Sequence, residues 1–224
     1  MQNLAEYQIW EREKSQIPII QFCINKNSYK KYLEIGVQDG TTFFSLDVEN
    51  RTAVEPEITP RFALNKLVFE ETTRLTHRGF PWTRVFNNKS DAFFEVNKEA
   101  KETYDIIFVD GFHELEQVAR DIKNSLAVLE DGGTIFVHDT NPQSKEEANP
   151  LNPLIPQWTG DVWRGIIDIR CELENIELLT IPIPYGLTVI RKSEIPLVKL
   201  EVRYKEYTYE QFDKERDFIL NIQR

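Results

Sequence analysis

Cysteine, positive charge and long apolar runs are all in short supply in this 224-residue chain. Cys23 and Cys171 are its only two cysteines, far apart and in no C-x-x-C pair, so both read as buried reduced thiols and suit a cytoplasmic location. Twenty-seven Lys and Arg against 37 Asp and Glu leave a net charge of -10, with no basic stripe to track a phosphate backbone, which argues against nucleic acid as partner. The longest N-terminal apolar run, residues 17–20, is too short for a signal segment or a membrane span and contains Pro18. Internal repeats, low-complexity runs, a Walker loop and zinc-finger spacing are missing as well. What remains, 41% hydrophobic and 29% charged residues, is the composition of one large domain with a sizeable core.

The chain is organised around residues 31–42, KYLEIGVQDGTT. Tyr32, Leu33 and Ile35 read as a buried strand that turns at Gly36 and Gly40 into a helix start at Thr41. Such a turn is expected to expose backbone N–H groups to the polar part of a nucleotide-like ligand. The third glycine of the dinucleotide fingerprint is absent, which disfavours a pyrophosphate. Glu34, just before the strand end, suggests a positive charge above the turn. Residues 51–54 form the next strand, ending at Glu55, 21 residues beyond Glu34. That is the interval at which a strand-end carboxylate meets ribose hydroxyls.

Around this centre the spacing predicts further elements. Residues 4–14 read as an amphipathic opening helix, followed by a short one through Ile19 and Ile24, which either covers a ligand cleft or caps the core edge. Thr59-Pro60 caps a helix over 61–74, with Phe62, Leu67 and Phe69 as its apolar surface and His77 solvated beyond it. A third strand, 82–86, leads through Asn87 to Ser90 and Asp91 into another helix. Residues 105–109, DIIFV, form a strand buried on both faces and deliver Asp110-Gly111-Phe112-His113. The helix over 114–129 follows, with Leu115, Val118, Ile122, Leu126 and Leu129 on one face, and after Asp131-Gly132-Gly133 the strand 134–137 delivers His138-Asp139-Thr140. A proline-rich loop over 141–157 spans the rim, Trp163 and Arg164 line an acceptor or anchor the packing, and strands 176–181 and 186–191 close the sheet. Residues 1–196 form one domain, and 197–224 an appended helical element that packs on it or makes a homodimer.

The blocks E-I-G-x-x-x-G, DGFHELEQVARD and LEDGGTIFVHDT resemble class I S-adenosylmethionine-dependent methyltransferases, in particular the bacterial O-methyltransferases similar to the catechol O-methyltransferase-like enzymes. The resemblance implies an α/β fold: a Rossmann-like, doubly wound, mostly parallel seven-stranded sheet with helices on both faces and an antiparallel last strand, flanked by N- and C-terminal helical extensions. It implies S-adenosylmethionine held by Glu34, Gly36, Gly40, Thr41, Glu55 and Asp110, with Ser90 and Asp91 at the base edge, Asp91 serving equally as a helix-start carboxylate. It implies Asp110 and Asp139 as ligands of a divalent cation, with His138 or Thr140 beside them; a histidine in the set leans toward Mn²⁺ or Zn²⁺ over Mg²⁺. The relatives carry Asp-Asn or an acidic pair where this chain has His-Asp-Thr. For catalysis, His113 is the expected general base beside Asp110 and Asp139, unless it only caps the following helix; His138 is the other candidate. The expected activity is O-methylation of a small-molecule or sugar-like hydroxyl. A nicotinamide oxidoreductase, lacking here both the third glycine and a Tyr-x-x-x-Lys pair, and a non-catalytic partner protein on the same fold are the competing readings.

Overall fold

A seven-stranded sheet in the order β3-β2-β1-β4-β5-β7-β6 runs through the molecule. The computed structural model describes residues 15–75, 81–151, 155 and 157–222. The opening helix expected over residues 4–14, and His77, lie outside the described residues. Strands β1 (Lys31–Ile35), β2 (Asn50–Val54), β3 (Trp82–Phe86), β4 (Tyr104–Val109) and β5 (Leu129–His138) pair in parallel. Strand β7 (Leu187–Lys192) inserts antiparallel between β5 and the edge strand β6 (Ile176–Ile181), as expected of the closing pair. The strand order reverses between β1 and β4, and there the C-terminal strand ends leave a crevice.

The helices divide between the two faces because each buries one side. On one face α1 (Gln16–Asn27) and α2 (Thr41–Ser45) put Ile19, Ile20 and Phe43 into one apolar cluster, joined by Phe62 of α3 (Pro60–Leu75). On the other, α4 (Ser90–Ala100), α5 (Leu115–Val128) and α6 (Val162–Glu172) put Phe93, Val118, Ile122 and Ile166 into a second. The first helix starts earlier than its apolar residues suggest: Ser15 caps it by accepting from the Ile17 N–H, and Pro18 falls in the first turn, where no intrahelical donor is needed. Leu67 lies on the outside of α3 instead of contributing to the core, and with Leu64 and Val68 makes an exposed apolar stripe. The glycine pair before Thr134 is not a simple turn. Pairing begins at Leu129 opposite Tyr104, slips, and resumes at Thr134 opposite Ile106, a bulge that Gly132 and Gly133 accommodate.

The C-terminal segment packs in cis. Its helix α7 (Tyr209–Ile219) begins with a capping box from Thr208 and Gln211 and sets Phe212 against Trp163, ring centroids 4.4 Å apart. Arg170 of α6 closes the other end, donating to the carbonyls of Phe218 and Ile219 at 2.6 Å each and of Val198 at 3.3 Å. The first two bonds supply donors to carbonyls in the last turn of α7, beyond which no helical N–H follows.

Candidate active site

A cleft of about 1200 Å³ lies over the β1/β4 crevice. Glu34, Gly36, Thr41, Glu55, Ser90, Asp110, His113, His138 and Asp139 all line it, so residues spread over a hundred positions of sequence share one hollow. Gly40 and Asp91 are not among its lining. Gly40 packs against Phe44 and Phe62, and Asp91 is an exposed residue 3.6 Å from Arg120.

The glycine turn serves the backbone more than a ligand. Gly36 has φ +82°, and a Cβ there would stand 2.2 Å from the Asp110 carbonyl oxygen, because β1 and β4 converge at their ends. Four of the N–H groups of this turn are already bonded within the protein. Gly36 N–H donates to Val54 O, Gly40 N–H to Val37 O, Thr41 N–H to Asp39 Oδ1, and Gln38 N–H to Glu55 Oε2 at 2.9 Å. The last bond, with a second from the Glu57 N–H to Oε1 at 3.1 Å, fixes the Glu55 carboxylate while leaving each oxygen a further lone pair.

Glu34 is buried at the floor, where it accepts a hydrogen bond from the Tyr32 hydroxyl. Burial, with Asp110 nearby, holds its carboxyl well above the usual carboxylate range, although Tyr32 and Arg51 work the other way. A positively charged ligand entering above it would restore its ionisation.

Within the cleft four side chains converge. His113 Nε2 lies 3.2 Å from Asp139 Oδ2, and His138 Nδ1 lies 3.2 Å from Asp139 Oδ1 and 3.5 Å from Asp110 Oδ1. Burial alone would lower the His138 pKa, but the two carboxylates raise it well above the ordinary histidine value. Burial likewise opposes the charge of Asp110, and His138, aided by His113, outweighs it and draws that carboxyl below its usual range. His113 stacks on Trp158, ring centroids 4.8 Å apart, with its Nδ1 buried and unpartnered, so Nε2 is the nitrogen presented to Asp139. Asp110, His113 and Asp139 each offer one donor atom, all within 4.8 Å of one another. That oxygen-rich set with one imidazole fits a divalent cation. His138, expected beside the two acids in that set, bridges them from the side as an ion-pair partner.

Backbone strain gathers here too. Gln38, Asp139 and Tyr185 line the cleft with φ of 47°, 59° and 67°, conformations L-residues seldom adopt. The Asn141 N–H locks the last two by donating to Tyr185 O at 2.7 Å. Trp158, Tyr185, Gln117 and Asp121 also line the cleft and were missed as site residues. Only Asp121 had a legible signal, an acid between Val118 and Ile122 on the apolar side of α5. Trp163 and Arg164 lie elsewhere: Trp163 is a core residue with the Arg164 guanidinium stacked 4.5 Å over it, and both line a separate hollow of about 500 Å³.

A family model described as a methyltransferase domain matches residues 33–140, the span from β1 to the Asp139 strand end. No curated protein matches the sequence. Among solved structures, the chain is similar to the S-adenosylhomocysteine-bound methyltransferase PaMTH1 of Podospora anserina. The identity is 20%, with 85% of this chain and 88% of that one covered at a TM-score of 0.57. Cofactor-bound Rv0187 from MTB is 15% identical, with 80% of each chain covered at a TM-score of 0.59. The Bacillus cereus O-methyltransferase in complex with S-adenosylhomocysteine is 15% identical, with 79% of this chain and 80% of that one covered at 0.56. Residues 33–140 thus carry the likeness to a methyltransferase domain, and the whole sheet shares the fold of these solved structures.

Proposed function

We propose that this enzyme moves the methyl group to a hydroxyl oxygen of a small-molecule or sugar-like acceptor in the cytoplasm, with the site residues in the following roles. Glu55, oriented by two backbone amides, accepts the ribose hydroxyls, and Glu34 faces the cationic methionine end. The transfer is an in-line displacement: an acceptor oxygen lone pair forms the new C–O bond as the C–S bond breaks and its electrons return to sulfur. Alignment therefore carries most of the catalysis. Neutral His113 takes the acceptor's proton on Nε2, and the imidazolium so formed is stabilised by the Asp139 carboxylate 3.2 Å away. Asp110, Asp139 and His113 are also the residues that would hold a divalent cation; the His113 Nε2 lone pair would then go to the ion, and lowering of the acceptor hydroxyl's pKa by the ion would replace that base. The observation that carries the proposal is the convergence of Glu34, Glu55, Asp110, His113 and Asp139 on one cleft at the strand-order reversal.

As to partners, the net charge of -10 supports the absence of nucleic acid, and among the described residues no helix is long and apolar enough to cross a membrane. The apolar stripe on α3 supports a homodimer, which sedimentation at one chain's mass would remove.

Thermal unfolding tests the central claim. S-adenosylmethionine or S-adenosylhomocysteine at about a hundred times its Kd should add about 2.7 kcal/mol, and NAD nothing. Glu55→Ala should abolish the shift, while His113→Ala should keep it and stop turnover. A melting temperature indifferent to millimolar S-adenosylhomocysteine would sink the proposal, and turnover unchanged after exhaustive EDTA would remove the cation.

A further inference from the structure

Just beyond Asp139 the chain is gripped by a side chain from the C-terminal helix. Strand β5 stays paired up to His138, opposite Leu187, and Asn141 beyond it is 4% exposed and held through both backbone and side chain. Its N–H donates to Tyr185 O at 2.7 Å, its carbonyl accepts from Gln143 Nε2 at 2.8 Å, and its side-chain oxygen accepts from Arg216 Nη1 at 2.5 Å. The same Nη1 donates to the Pro142 carbonyl.

Arg216 is itself fixed. Its Nη2 donates to the Tyr209 hydroxyl at 3.0 Å and to Asp213 Oδ1 at 2.5 Å, its guanidinium lies 4.9 Å over the Phe212 ring, and its side chain is 11% exposed. A planar fork bonded through both nitrogens cannot swing without breaking several charge-assisted bonds. The grip on Asn141 is therefore carried by the body of α7, which Phe212 seats on Trp163.

Between the sheet at His138 and the clamp at Asn141, Asp139 completes the chain in the left-handed conformation, with φ 59°. An L-residue keeps that conformation only where its surroundings over-determine it. Tyr185, with φ 67°, is caught from the other side, and its hairpin lies so close that a Cβ on Gly186 would stand 2.3 Å from Asn141 Cβ. Asp139 and Tyr185 both line the cleft and Arg216 does not, so a guanidinium outside the cleft sets the wall inside it.

We propose that Arg216 is a positioning residue: by clamping Asn141 and Pro142 it holds Asp139 in the conformation that puts its carboxylate between His113 and His138. The C-terminal segment thereby takes part in building the site, although none of its described residues lines the cleft. The catalytic consequence rests on the proposed role of His113 and Asp139. Arg216 touches no reacting atom.

Heteronuclear NMR of the histidine ring nitrogens at one neutral pH tests it, with Asp139→Asn as the reference. Asparagine tolerates the left-handed conformation but carries no charge, so the ring signals it displaces are those that sense the carboxylate. Arg216→Met, which keeps much of the volume and removes every donor, should displace the same signals in the same direction. A merely structural role for Arg216 would lower the melting temperature and leave those signals at their wild-type positions; that result overturns the inference while the proposed function stands. Should Arg216→Met fail to fold, Asn141→Ala, which removes the Oδ1 acceptor and leaves Arg216 in place, should displace them too, and wild-type positions there overturn the inference equally. Signals indifferent to Asp139→Asn would show that neither ring senses that carboxylate, and would overturn the proposed base arrangement together with this inference.

Discussion

Gly36 shows how much one residue can carry. Its positive φ and the 2.2 Å approach of the Asp110 carbonyl to a hypothetical Cβ act together, so no neighbouring side chain can relax to admit a methyl group. Gly36→Ala should cost on the order of 3 kcal/mol or more, read as a lower urea midpoint with an unchanged slope. A midpoint within experimental error of the wild type would show that the strand ends can separate. Asp121 supplies a pH dependence whose sign is fixed by its direction. Burial pushes its carboxyl up to about 6, against an unfolded value near 3.8. The native state therefore keeps a proton that the unfolded chain has released. Its contribution to stability falls as pH rises between those values and is constant above them, by about 3 kcal/mol in all at roughly 1.4 kcal/mol per unit. Asp121→Asn should be spared this loss, so its melting temperature should gain on the wild type between pH 4.5 and 7.5. Parallel pH profiles for the two proteins would refute the assignment.

At the scale of elements, Arg170 of α6 anchors the C-terminal end of α7. Burial lowers the Arg170 pKa, yet the guanidinium is held by three carbonyls, which lose their donor if it is removed. Arg170→Met keeps much of the volume and should cost about 3 kcal/mol, with proteolytic cleavage appearing near residue 219. Resistance equal to the wild type would show that the Trp163–Phe212 contact holds the helix alone. The last turn of α7 also bears on the site: Arg216 donates to Asn141 Oδ1 and to the Pro142 carbonyl, just beyond Asp139. Element boundaries were legible where capping chemistry marked them. Thr59 accepts from the Phe62 N–H at 3.0 Å at the head of α3, as the sequence suggests. Ser15 was missed because Pro18 reads as a break from sequence, whereas in a first turn it removes only an N–H without an intrahelical partner.

For the whole molecule, the amino-acid sequence by itself determined the strands and the strand ends that bear Glu34, Glu55, Asp110 and Asp139, while the doubly wound order came only from the resemblance of its motifs. Apolar runs bounded by glycines and acids report burial and chain reversal locally, within a few residues. Tertiary structure alone decided which groups were already satisfied. Four N–H groups of the glycine turn are taken by Val54, Val37, Asp39 and Glu55, and His113 shares the compact donor set with the two acids. It also decided that Leu67 faces outward and that Asp121 reaches the cleft. Such outcomes depend on partners tens of residues away whose approach is set by sheet order and helix packing, and no local pattern encodes the direction in which a hydrogen bond will finally point.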